Sequence, residues 1–300
     1  MRIAILRCQE LPRFITWDIP DVDDLFHEDR LLITAFQERG LQASPVAWRD
    51  SGTDWDRIDA AVIRTTWDYI DNTDEFLRLL SKIDGSPCRL FNPSEAVRWN
   101  CNKLYLFDLE AWGAPIIPTY LASRVALPDV IEEFGKRGWH RAILKPTVGV
   151  GGSDSYRVPS EGLEDALRDV TARHKSSEYL IQPFIDGIVA EGEWSFVYFN
   201  RTLSHCVLKK PAPGDYRAHA IYGGTLHRME PARNDLDQAD AILAKLPFDL
   251  LYARLDLVRV NGRLSVVELE LIEPFLYFRQ APDGVGRYVT ATISRLHSRA

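Results

Sequence analysis

The sequence predicts an α/β protein built from several lobes, and three observations support this fold class. The N-terminal third alternates short apolar strands with helices, which is typical of a small open parallel sheet. A segment with two prolines, residues 113–119, follows and is the best candidate for a domain boundary. After a second alternation of helices and strands, the chain becomes mostly strand and contains a long β-hairpin.

The first lobe has strands predicted over residues 2–7, 41–48 and 60–64, and helices over 24–39 and 72–83. Ligands on open parallel sheets bind beyond the carboxyl ends of the strands. Residues 64–69 lie there, so Arg64, Thr65 and Trp67 are candidate substrate ligands. A polar loop with a packed tryptophan is the alternative.

The other predicted elements complete three domains. A helix over 93–112 contains Lys103 and closes the first domain, residues 1–112. Helices over 128–137 and 161–173 and strands over 142–145 and 179–182 form the second, residues 113–185. Strands over 193–199 and 203–209 and the hairpin form the third, residues 186–300, which the pattern predicts to be mostly strand.

Composition excludes several classes of protein. The 300 residues are 46% hydrophobic and 11% aromatic, enough to fill a large interior. The net charge of −7 and the lack of a basic stripe argue against nucleic acid, and no apolar run is long enough to span a membrane. The cysteines are scattered without zinc spacing: Cys8, Cys88, Cys101 and Cys206. We expect a reduced, cytoplasmic protein and leave its oligomeric state open, with a homodimer as one option.

The hairpin carries the carboxylates Asp256, Glu268 and Glu270 among apolar residues. Buried carboxylates are costly unless a cation offsets their charge, so the cluster is a candidate metal site, with a solvated acidic face as the alternative. A two-residue turn on residues 261–262 would pair Asp256 with Val267 and separate it from the glutamates. A three-residue loop would place all three on one face, and we predict the loop.

A second candidate site is a strand that ends in Lys145 and runs into a glycine-rich turn. The turn contains Gly149, Gly151, Gly152 and Ser153. Glycines let backbone N–H groups converge on an anion, and a nearby lysine adds charge for phosphate. The spacing matches neither a Walker A loop nor a Rossmann fingerprint, and a flexible hairpin tip is the alternative.

Two further segments have polar residues suited to a nucleotide. Residues 178–187 form an apolar strand that leads into a linker, which could present backbone groups to an adenine edge, with an ordinary interdomain crossover as the alternative. A Pro/Gly-rich loop over 208–224 gathers basic residues that suit an anionic transition state near a metal, unless they are simply solvated.

The order of these features resembles the ATP-grasp superfamily, and within it the glutathione-synthetase and ribosomal-S6-modifying type. It is also similar to the short single-chain ligases of amino-acid and antibiotic biosynthesis, among them those that form cycloserine. The motifs cover residues 95–280. The first 95 residues fit the Rossmann-like domain that precedes an ATP-grasp fold.

The resemblance implies a role for each motif residue. Lys103 and Lys145 would contact the phosphates of ATP, under a lid formed by Gly149, Gly151, Gly152 and Ser153. Adenine would lie against Gln182, Phe184 and Ile185, with the ribose on Glu193. Two Mg²⁺ ions would bind Asp256, Glu268 and Glu270. The implied catalytic residues are Arg217, Arg254 and Lys210, and Tyr222 and Gly223 are further substrate candidates.

The implied chemistry is a two-step ligation between two small molecules, a carboxylate and an amine. The carboxylate attacks the γ-phosphate of ATP to form an acyl phosphate and ADP, and the amine then displaces phosphate. A small-molecule kinase and an intramolecular cyclase are the alternatives on the same fold. The sequence departs from the family at Glu270, where asparagine is usual, and Glu273 is a weaker metal candidate.

Overall fold

The computed structural model describes residues 1–9, 25–123, 127–149, 155–173, 178–215, 218 and 223–298. Three β-sheets organise this part of the chain. Their strands come from consecutive stretches of sequence, so each sheet corresponds to one stage of the predicted pattern.

The N-terminal sheet is parallel. Its strands and helices are β1 Arg2–Arg7, α1 His27–Glu38, β2 Gln42–Ala47, β3 Ala60–Thr65, α2 Thr73–Asp84 and β4 Arg89–Phe91. The strand order is β2-β1-β3-β4. Every residue of β3 is buried, as expected for a central strand of a parallel sheet that is covered on both faces. The predicted parallel sheet is confirmed.

The middle sheet is antiparallel, in the order β5-β8-β6-β7. This lobe contains β5 Tyr120–Ala122, α5 Leu127–Lys136, β6 Arg141–Pro146, β7 Tyr156–Pro159, α6 Leu163–Arg173 and β8 Tyr179–Pro183. Both helices pack on one face, where Phe134, Leu144 and Leu167 belong to one apolar cluster. The opposite face carries Lys145 and is not covered by these helices, so it can contact the C-terminal sheet.

The C-terminal sheet is antiparallel and has five strands, in the order β11-β10-β9-β12-β13. This lobe contains α7 Gly187–Ala190, β9 Glu193–Phe199, β10 Thr202–Lys210, β11 Thr225–Met229, α8 Arg233–Leu243, β12 Tyr252–Val260, β13 Arg263–Glu270 and α9 Asp283–His297. Helix α8 packs into one apolar cluster of the sheet, and α9 joins α1 in another.

Two predictions about helices are wrong. The predicted helix over 93–112 is two short helices, α3 Ser94–Asn100 and α4 Tyr105–Ala111, and Lys103 lies in the turn between them. Both pack on the C-terminal sheet. The third lobe was expected to be mostly strand, yet it contains α8 and α9.

All four cysteines are free in the structure. Within the described ranges, no helix is both long enough and apolar enough to cross a membrane.

His205 is a buried histidine on β10 that the fold keeps neutral. Its Nε2 donates a hydrogen bond of 2.7 Å to the carbonyl of Leu276, and burial lowers its pKa from 6.5 to about 4. Between these values the unfolded chain binds the proton and the folded chain does not. The free energy of unfolding therefore falls as the pH drops through this window.

We expect the wild type to lose about 2 kcal/mol more than the variant His205→Gln between pH 7 and pH 4.5, since one pKa unit corresponds to about 1.4 kcal/mol. Urea unfolding at the two pH values measures this difference. Equal losses would show that the histidine is not the group responsible.

Candidate functional site

The hairpin of β12 and β13 brings the three predicted metal ligands onto one face. Its turn has two residues, 261–262, with φ of 50° and 80°, so the predicted three-residue loop is wrong. A β-bulge after Asp256 skips Val267 and pairs Asp256 with Glu268 instead. The bulge restores the alternation, and one oxygen from each of Asp256, Glu268 and Glu270 lies within 4.8 Å of the others.

Asp256 is the centre of a buried ionic network. It accepts a hydrogen bond of 2.5 Å from Ser195 Oγ and pairs with Lys209 Nζ at 3.1 Å and Arg254 at 2.9 Å. Burial alone would raise the pKa of Asp256, but Arg254 and Lys209 outweigh it and hold the pKa well below its usual range. Arg254 also pairs with Glu270, its direct partner across the strands. The carboxylate that departs from the family pattern therefore has a cation beside it.

Lys209 is a functional candidate that the sequence reading missed in favour of Lys210. Alternation along β10 buries Lys209 at the end of the strand and leaves Lys210 exposed. Lys209 pairs with both Asp256 and Glu193. The Glu193 carboxylate, expected to hold ribose, is thus engaged by a buried lysine, and its ribose role stays a prediction.

The two predicted phosphate lysines both contact β13 of the hairpin. Lys103 Nζ donates to the carbonyl of Gly149 at 2.7 Å and pairs with Glu268 at 3.2 Å. Lys145 Nζ donates to the carbonyl of Val267, the residue skipped by the bulge, at 3.4 Å. Burial, and to a smaller degree Lys103, lowers the pKa of Lys145 to about 8. An anion between the lysines would offset that cost.

The segment after β8 leads from the middle sheet to the C-terminal sheet. Gln182 is buried, and its amide donates to Thr119 Oγ1 at 2.9 Å. Ile185 is half-buried where the chain passes over β12. The passage is close enough that a Cβ at Gly187 would lie 2.8 Å from the carbonyl of Arg259. The predicted adenine residues are therefore held at the junction of the two sheets.

Phe184 lies between two arginines that the sequence reading did not select. The guanidinium of Arg141 is 4.5 Å from the ring centroid and that of Arg157 is 5.5 Å away. The amide of Phe184 donates to the carbonyl of Arg141 at 2.9 Å. These contacts fix the ring just past the end of β8, an internal strand of the middle sheet.

Two of the predicted substrate residues form buried hydrogen bonds, and one of these residues joins the N-terminal lobe to the segment after the hairpin. Arg64 is 1% exposed and donates to Glu28 at 3.0 Å and to the carbonyl of Pro274 at 2.9 Å. Thr65 donates to Asp29 at 2.6 Å. The Arg64 side chain therefore links the lobe to this segment, the Thr65 side chain bonds within the lobe, and a substrate contact by either stays a prediction.

The remaining predicted residues divide into two groups. Trp67 is buried between the rings of Phe26 and Phe275, at 6.1 and 5.5 Å. Gly223 has a φ of 79° just before β11, a backbone conformation that favours glycine. The others lie outside the described residues: Gly151, Gly152, Ser153, Arg217 and Tyr222.

The carboxylates fit Mg²⁺, which prefers oxygen donors. Burial raises the pKa of Glu270 to about 7, with Glu268 and Asp256 adding to the effect and Arg254 opposing it. A divalent cation at this face would offset the repulsion. The donor set and the two lysines opposite it are suited to a metal-bound polyphosphate.

Comparisons with known proteins cover most of the chain. Residues 3–92 match the N-terminal domain of D-cycloserine synthetase DcsG, and residues 102–272 match the ATP-grasp domain of prokaryotic glutathione synthetase. A curated relative, the cycloserine biosynthesis protein DcsG of Streptomyces lavendulae, is 32% identical over 284 residues, which span 88% of this chain and 92% of the relative.

Solved structures agree with the sequence comparison. The crystal structure of D-cycloserine synthetase DcsG superposes with a TM-score of 0.81 at 27% identity, covering 99% of this chain and 100% of the other. D-Alanine–D-alanine ligase from Bacillus anthracis, in complex with ATP, gives a TM-score of 0.69 at 14% identity over 99% and 97%. At that identity the second likeness indicates a common fold.

Proposed function

Because this chain belongs to the ATP-grasp ligases of the glutathione synthetase type, we propose that it uses ATP to join the carboxylate of a small amino-acid-like molecule to an amine. The carboxylate takes the γ-phosphoryl group as an acyl phosphate, and the amine displaces phosphate. Both steps require the phosphates, the carboxylate and the amine to meet in one cleft.

One observation supports the proposal: the carboxylates of the hairpin and a pair of lysines from other elements lie together. Lys103 touches Glu268 at 3.2 Å, and Lys145 touches the hairpin backbone at 3.4 Å. Both contacts form without a nucleotide, so the lysines and carboxylates that would surround the phosphates already lie close together. Such preorganisation favours charge stabilisation over covalent catalysis.

Asp256, Glu268 and Glu270 would hold Mg²⁺, which offsets the charge of the phosphates. Lys103 and Lys145 neutralise the phosphates from the opposite side. Lys209 and Arg254 keep Asp256 ionised, because each pairs with it in the interior. Arg254 also pairs with Glu270, so it would supply a positive charge beside an anion that develops at this face.

Ring closure within one molecule is a second candidate. Its support is the match of residues 3–92 to the N-terminal domain of D-cycloserine synthetase, because in this fold that domain contributes to the substrate cleft. A cyclase would use one substrate that carries both the carboxylate and the nucleophilic nitrogen.

Release of ADP from ATP and Mg²⁺ tests the proposal. The panel contains D- and L-amino acids and the matching acids without an amino group, each with and without hydroxylamine. We expect hydroxamate and ADP in equal amounts for the preferred acid, because hydroxylamine replaces the amine. A stable phosphorylated product that hydroxylamine leaves unchanged indicates a kinase. ADP release from one acid without any added amine indicates a cyclase if the product has the mass of that single acid less one water.

A further inference from the structure

We propose that Glu273 binds the ammonium group of the substrate whose carboxylate is activated. The inference rests on the proposed function, because it assigns the amino group of the same small molecule. It concerns the loop that joins β13 to α9, where the metal hairpin meets the N-terminal lobe.

The backbone on both sides of Glu273 is fixed by side chains from other elements. The amide of Asn100 brackets Glu270 by bonding Leu269 and Leu271, at 2.9 and 2.8 Å. The remaining contacts are Tyr252 to the carbonyl of Ile272, Arg64 to that of Pro274, Arg254 to that of Phe275, and Glu28 to the amides of Leu276 and Phe278. The position of Glu273 is therefore set before any ligand binds.

The Glu273 side chain contrasts with this well-bonded backbone. It is 9% exposed, yet among the described residues none donates a hydrogen bond to its carboxyl or forms an ion pair with it. Lys103 and Arg254 are the cations that act electrostatically on the Glu273 carboxyl. Lys103 already pairs with Glu268, and Arg254 already pairs with Glu270. Burial, reinforced by Glu270, raises the pKa of Glu273 well above its usual range. A cation from outside the protein would complete the site.

The location favours a substrate ammonium over a metal ion. Glu273 does not belong to the group of carboxylates whose oxygens can share one ion. Its electrostatic neighbours include Tyr69 and Cys101, which follow β3 and α3 of the N-terminal region, as well as Lys103 and Glu270. A small amino acid with its carboxylate at the metal face would have its ammonium group a few bonds away, toward that region.

The test compares two kinds of acid in the hydroxamate assay, with ATP, Mg²⁺ and hydroxylamine. For the best amino acid of the panel, we expect the wild type to prefer it over the matching acid without the amino group by at least about 30-fold in kcat/KM, as for a buried charge-assisted hydrogen bond. In Glu273→Gln this preference falls to a few-fold, mainly through KM. The Mg²⁺-dependent affinity for the ATP analogue AMPPNP, measured by calorimetry, stays unchanged.

Glu268→Gln is the matched control, and it should weaken AMPPNP binding and both acids alike. Thermal unfolding of Glu273→Gln should be at or above the wild-type temperature, since the variant removes an unpaired buried carboxyl. If Glu273→Gln loses the same factor in kcat/KM for both acids, or if it binds AMPPNP more weakly, the assignment of Glu273 to the ammonium group is overturned. Hydroxamate from the acids without an amino group alone overturns the assignment of Glu273, while ATP-dependent activation of a carboxylate stands. No hydroxamate from any acid overturns both.

Discussion

Asp256→Asn is expected to lower ATP-dependent turnover by at least about 100-fold. The amide cannot supply the negative oxygen that a cation needs, and it leaves Lys209 and Arg254 without their shared partner. Removing one member of a buried ionic network also costs about 3–5 kcal/mol in the free energy of unfolding. A coupled ADP assay and urea unfolding measure the two effects separately.

Asp240→Asn is the matched control for this variant. Asp240 on α8 accepts a hydrogen bond of 2.8 Å from Tyr198 of β9 and does not belong to the carboxylate cluster of the hairpin, so the same change of carboxylate to amide should leave turnover within about twofold. If Asp256→Asn keeps wild-type turnover, the metal face has been assigned to the wrong residues.

Lys145→Ala is expected to weaken nucleotide binding by at least about 30-fold. Lys145 is a buried lysine whose charge is kept at a cost, as its lowered pKa of about 8 shows, and phosphate is the partner that would offset that cost. Calorimetry with AMPPNP and Mg²⁺ measures the change. Lys136→Ala serves as control, because Lys136 forms an exposed pair with Glu132 on α5. Unchanged affinity in Lys145→Ala would exclude a phosphate contact.

Much of the fold could be predicted from local sequence. The bounds of β1 and β9 were predicted to the residue, because short apolar runs flanked by polar residues mark them clearly. Helix α9 was missed because its first turn holds two glycines and its centre is rich in β-branched residues, so packing against α1 overrides weak propensity. Helix α8 did carry a signal, in the helical spacing of Leu236, Ala239 and Leu243.

Asp256, Glu268 and Glu270 were predicted to share one face of the hairpin, and they do so by a different route from the one predicted. The turn at residues 261–262 is the two-residue turn that an Asn-Gly sequence favours. This turn alone would pair Asp256 with Val267, and the bulge at Val267 shifts the pairing by one residue. A bulge has no clear mark in a run such as Leu-Ser-Val-Val-Glu. The bulge also affects the candidate site, because the skipped residue presents its carbonyl to Lys145.

The choice between Lys209 and Lys210 shows a second limit of the sequence. Two adjacent lysines at the end of a strand point to opposite faces, and no local pattern says which face is the site. The contacts of Lys209 to Asp256 and Glu193 join residues that are far apart in sequence, so only the folded structure shows them. The same holds for Arg254 and Glu270. Their pairing across the strands places a cation beside the glutamate that stands where the family usually has asparagine.

The most direct test of the acyl phosphate follows an oxygen atom. The preferred acid is labelled with ¹⁸O in both carboxylate positions and turned over with ATP, Mg²⁺ and the amine, and the released phosphate is analysed by mass spectrometry. Because the carboxylate oxygen becomes the bridge to phosphorus and leaves with it, we expect one ¹⁸O atom in each phosphate. Unlabelled phosphate would contradict carboxylate activation by this chain.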